Sequence, residues 1–70
     1  MTDLGVVELL RELQTLVETF DLQAATAIAV GPDDVEMRVT WLQGGRIHIA
    51  REVGGEIVSL TKLSPDEIGL

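Results

Sequence analysis

Apolar residues recur at three- and four-residue steps in the first part of the chain: Val6, Leu9, Leu10, Leu13, Leu16, Val17 and Phe20. That spacing lines one face of a 3.6-residue helix and predicts a helix over about 4–20. Glu8, Arg11, Glu12, Thr15 and Glu18 fall off the stripe. Thr2 or Asp3 is placed to cap its start, and Asp3 suits the positive end of the helix dipole. The stripe is short for a coiled-coil seam, so the expected arrangement is a helix laid on a sheet.

After Gln23 the pattern changes. The stretch Ala24, Ala25, Thr26, Ala27, Ile28, Ala29, Val30 holds no charge, proline or glycine. Its alanines, with Gly31-Pro32 behind them, are compatible with one helix running on from Leu4 to Val30. The β-branched residues Thr26, Ile28 and Val30 at alternate positions favour a strand over about 24–30. Strict alternation at Val35, Met37, Val39 and Trp41 predicts a second strand over 35–42. Ile47, Ile49 and Val53 mark a third over 46–53, and a shorter fourth covers 56–61. Gly31-Pro32-Asp33-Asp34, Gln43-Gly44-Gly45 and Gly54-Gly55 separate them with turn chemistry.

Loop length sets which side chains share a face. A three-residue Gln43-Gly44-Gly45 loop pairs Trp41 with Ile47, Val39 with Ile49 and Val35 with Val53, which keeps the apolar face together. A two-residue Gly54-Gly55 turn pairs Ile49 with Leu60 and Arg51 with Val58. A four-residue loop from Gly31 pairs Val30 with Val35 and Ile28 with Met37. The expected inner face is therefore Thr26, Ile28, Val30, Val35, Met37, Val39, Trp41, Ile47, Ile49, Val53, Val58 and Leu60, with Arg51 reaching the rim. The predicted fold is α+β: one N-terminal helix on a four-stranded antiparallel meander in the order 1-2-3-4. Leu63 closes the end. Ser64-Pro65-Asp66-Glu67 reads as the start of a single helical turn.

Seventy residues make one domain with a small core, although 46% of them are apolar. There is no cysteine, so a disulfide or thiolate chemistry is excluded, and association is the remaining common source of stability. The formal net charge of -7 has the wrong sign for nucleic acid or an anionic membrane. Acids in the first twenty residues argue against a signal peptide, and no apolar run is long enough to span a bilayer. A soluble cytoplasmic protein is expected.

Candidate chemistry is sparse. His48, the only histidine, falls mid-strand on the predicted outer face between Thr40 and Thr61, with no orienting acid or nucleophile beside it. Glu36 faces Glu52, a poor cation site by itself. Asp33-Asp34 belongs to a turn, and the glycine pairs join strands rather than a strand and a helix, as a phosphate loop would. Trp41 reads as core. No catalytic residue, cofactor or metal is expected.

Two surfaces remain as interface candidates. One is the first strand, Ala24 to Val30, an edge without the charge, proline or bulge that usually guards one. The other is the outer sheet face with Glu36, Arg38, Thr40, Leu42, Arg46, His48 and Glu52, acidic at one end and basic at the other. Both point to a protein-protein interaction module, partnered by a second copy or by another protein. The alternative is an acidic inhibitor that presents carboxylates as phosphate mimics to a nucleic-acid-binding enzyme. Its candidates are Glu8, Glu12, Glu18, Asp21, Asp33 and Asp34.

Overall fold

The computed structural model describes residues 3–69, with Asp3 and Leu4 described by backbone alone. Helix α1 (Asp3–Phe20) is followed by β1 (Ala24–Val30), β2 (Val35–Leu42), β3 (Arg46–Val53), β4 (Glu56–Leu63) and a 3-10 turn at Pro65–Ile68. The strands form one antiparallel sheet in the order β1-β2-β3-β4, as the pattern predicted. The cap expected of Thr2 or Asp3 lies outside the described side chains.

The helix stops where the apolar stripe ends, at Phe20. Asp21 adopts a left-handed φ of 53°, and the Leu22 N–H donates to the Val17 carbonyl at 2.9 Å. This is the six-to-one bond of a helix C-terminus, with aspartate in the place glycine usually takes. It rules out a helix continuing to Val30.

α1 lies mainly over β1 and β2. Leu10, Leu13 and Val17 meet Val39, Trp41 and Ile47 in the buried core, with Val6, Leu9, Ala25, Ala27, Ile49, Leu63 and Ile68 packed around it. Two members of the expected stripe are not covered: Leu16 is 43% exposed and Phe20 65%. α1 lies toward the β1 edge of the sheet, so this flank of the stripe overhangs it.

The β2–β3 register is the expected one, with Trp41 opposite Ile47, Val39 opposite Ile49 and Val35 opposite Val53. Gly44 and Gly45 supply the positive φ values that the loop needs. The register of β1 is corrected by one residue. Val30 pairs with Glu36 and Ile28 with Arg38, not with Val35 and Met37. The ladder runs on to Gly31, whose N–H donates to the Val35 carbonyl at 2.7 Å. Pro32, Asp33 and Asp34 alone make the turn, both aspartates at left-handed φ.

A one-residue slip exchanges the two faces of a strand. Ala25, Ala27 and Ala29 therefore stand beside Trp41, Val39 and Met37 on the helix side, while Thr26, Ile28 and Val30 face outward. Ile28 is 54% exposed and Val30 72%. The physical reason is space: α1 packs directly on β1, and a methyl group there lets the helix approach closely.

The β3–β4 register is corrected in part. Val53 pairs with Glu56 and Glu52 with Ile57 across the Gly54-Gly55 turn, as a two-residue loop requires. A bulge then shifts the ladder, so that Arg51 faces Ser59 and Ile49 faces Thr61, not Val58 and Leu60. Leu60 moves to the outer face opposite Ala50, and Ser59 and Thr61 move to the helix side. β4 also runs two residues further than expected, bringing Leu63 opposite Ile47 and against the core. Beyond it, the Glu67 carboxylate accepts from the Ser64 N–H at 3.2 Å and the Ser64 hydroxyl at 3.1 Å, which holds the C-terminal turn.

Candidate protein-interaction surface

β1 is paired on one side only. The Gln43 N–H donates to the Gln23 carbonyl at 2.9 Å, and Gly31 bonds to Val35. Narrow antiparallel pairs recur every second residue, so the odd-numbered residues of β1 spend their backbone groups on β2. The N–H and C=O groups of Ala24, Thr26, Ile28 and Val30 thus point to the free edge. No bulge interrupts β1 and no charged side chain guards it.

The helix extends this edge upward. Val7 lines a groove with Met37, Ile49 and Leu63, and Gln14 lines a cleft with Trp41 and Gln43, so that flank of α1 faces β3. At 100° per residue, Leu9 and Leu16 lie on the opposite flank, above the free edge of β1. Exposed Leu16 and Phe20, with Leu22 at the start of the connection, add apolar side chains to the β1 side of the molecule, with Glu12 beside Leu16.

The outer face is polar in its middle and apolar along both borders. Arg38 Nε stands 2.6 Å from Glu52 Oε2, and its Nη2 stands 3.8 Å from Glu36 Oε2. One guanidinium therefore sits between two carboxylates that would otherwise repel across the ladder. Thr26 and Thr40 share a hydroxyl hydrogen bond of 2.9 Å. Leu42, Arg46 and His48 complete the predicted set at the other end, where His48 stands between Thr40 and Lys62, rather than Thr61. Ile28 and Val30 border this face on β1, and Ile57 and Leu60 border it on β4.

The acidic candidates are spread out. Glu8 and Glu12 are exposed on the helix, and Glu18 and Asp21 lie at its C-terminal end, where they accept from Gln14 at 3.2 Å and Gln43 at 3.0 Å. Asp33 and Asp34 occupy the β1–β2 turn at the opposite end of the sheet. Among the described residues no three His, Asp or Glu side chains gather as metal ligands would. No helix is long and apolar enough to cross a membrane.

Comparison with known protein families, curated proteins and solved structures finds no match to this chain. Its surfaces must therefore speak for its function.

Sequence reasoning missed two features. The groove of about 610 Å³ between Val6, Val7, Met37, Ile49, Leu63 and Ile68 exists because α1 sits off-centre. The row of alanines that draws it off-centre was legible as a period-two repeat, A-x-A-x-A. The second feature, the apolar flank of α1, shows in sequence only as a stripe broader than the core residues need.

Proposed function

We propose that this chain is a small non-enzymatic protein-protein interaction module of the cytoplasm, working as a homodimer or as a subunit of a larger assembly. The observation that carries this reading is the β1 side of the molecule. An unguarded strand edge there adjoins exposed Leu16, Phe20, Leu22, Ile28 and Val30. Exposed apolar side chains thus border the open strand edge on both faces of the sheet, and an unguarded edge is a template for pairing with another chain. Only Leu10, Leu13, Val17, Val39, Trp41 and Ile47 are buried among the described residues, so association also supplies burial that the single chain lacks. Light scattering across a salt series tests it. A dimer held by backbone pairing and apolar contact keeps its mass from low to high salt; a chain that stays monomeric alone and captures no protein partner refutes the reading.

The acidic-inhibitor reading keeps one observation in its favour. The outer face holds Arg38, Arg46 and Lys62 against Glu36 and Glu52. The rest of the chain is left with ten of the twelve acids and two of the five cations. A complex of that kind would dissolve as salt rises, and neutralising Glu12 and Glu18 would abolish inhibition while the fold stays intact.

A further inference from the structure

We infer that two copies of this chain join through β1, antiparallel, about a two-fold axis at Ala27, so that two four-stranded sheets become one of eight. The inference rests on the interaction-module reading above and names its surface, register and partner.

Backbone parity gives the register. Residues that exchange both hydrogen bonds stand opposite one another in an antiparallel ladder. The outward groups of β1 belong to Ala24, Thr26, Ile28 and Val30, so outward residues must meet outward residues. An axis at Ala27 sets Thr26 against Ile28 of the second copy, and Ala24 against Val30. All four residues of each strand then find partners. An axis at Ile28 sets Ala24 against Pro32, which has no N–H. An axis at Thr26 sets Val30 against Leu22, whose N–H is already bonded to Val17.

The partner is a second copy because of charge and area. β1 itself carries no charge, so two chains of net charge -7 can meet strand to strand with no like charges among the paired residues, while the acids nearest the seam, Glu12 on α1 and Asp21 and Asp33 beyond the strand ends, are exposed and screened by salt. The chain exposes 5012 Å² at a mass of 7.6 kDa. A folded monomer of that mass exposes about 4300 Å². The surplus of roughly 700 Å² approaches the ~800 Å² that each partner gives to a standard interface.

The second layer fits the same axis. Three strand residues and seven helical residues each rise about 10 Å, so Leu13 is level with Ala27. Leu16 of one copy then comes beside Leu9 of the other, above a seam floored by alanine. Glu12 lies near the axis on that flank and meets its own copy, so added salt tightens the pair.

Amide hydrogen exchange on the full chain, followed by NMR in dilute and concentrated samples, tests the register. The Thr26 and Ile28 amides slow by at least about tenfold on concentration, while the Ala25 and Ala27 amides are protected in both samples. Ile28→Pro removes an outward N–H that β2 does not use, and edge strands tolerate proline there. It weakens association by about a hundredfold or more with the far-UV spectrum unchanged. Leu16→Glu, an exposed helical position, does the same if the proline variant does not fold. A dimer whose Thr26 and Ile28 amides exchange as fast as in the dilute sample overturns the β1 seam but leaves self-association standing. A monomer at every concentration overturns the β1 dimer while a captured heterologous partner would still satisfy the module reading.

Discussion

The two edges of this sheet are built on opposite plans. β1 is free of bulges and uncharged, and its inner side is pressed against a helix through Ala25 and Ala27. β4 is bulged beside Glu52, begins with Glu56 and carries Lys62 near its end, and every residue before Leu63 is exposed. Bulge and charge are the devices that keep an edge from pairing with a neighbour. The guarded edge is thus the one with little packing, and the edge left open is the one with a second layer above it. The difference teaches that side-chain burial and protection from association are separate properties. β4 is held chiefly by its backbone ladder to β3, whereas β1 is held by ladder and helix together.

The largest test of this contrast is a deletion in the core. Ile47→Ala is expected to lose about 3–4 kcal/mol, a large part of what a domain this small commands. Leu60→Ala on β4 should change stability by less than about 0.5 kcal/mol, because Leu60 is 52% exposed. Both are read by urea denaturation, and a comparable loss for Leu60 would break the comparison.

A smaller effect probes the alanine row. Ala27→Leu forces α1 away from β1 and is expected to cost about 1–3 kcal/mol. The same change at Ala50, across the sheet on the outer face, should stay within about 0.5 kcal/mol. Thermal melts of the two variants sharpen the contrast if they separate, and remove it if they coincide.

The smallest effect lies between the edges. Arg38→Gln leaves Glu36 and Glu52 facing each other without the guanidinium. Because Arg38 is about half exposed, the loss should be about 1 kcal/mol or less at low ionic strength. It should shrink as salt is added, which denaturation at two salt concentrations reads directly.

Much of the fold could be read in advance, and the failures share a cause. Val35, Met37, Val39 and Trp41 are bulky against polar alternates, so β2 and its partner β3 could be aligned from the pattern alone. In β1 both alternating sets are apolar or nearly so. Bulk suggested that Ile28 and Val30 face the core, but the deciding quantity is the room beneath α1, which a hydrophobic pattern does not contain. In β4 the bulge after the Gly54-Gly55 turn has no marker of its own, because Ile57, Val58 and Leu60 suit either face. The open edge of β1 could be read in its missing charge and proline. The flank of α1 above it could not, because its exposure depends on where the helix settles.

The alanines have a consequence for how this chain tolerates change over time. One carbon separates the β1 backbone from the helix at positions 25 and 27, so drift there is confined to alanine, glycine or serine. The intervening positions answer to no such ceiling within a single molecule. Lineages of this chain should therefore vary along the strand like a comb, with fixed teeth at 25 and 27 and freedom at the other positions.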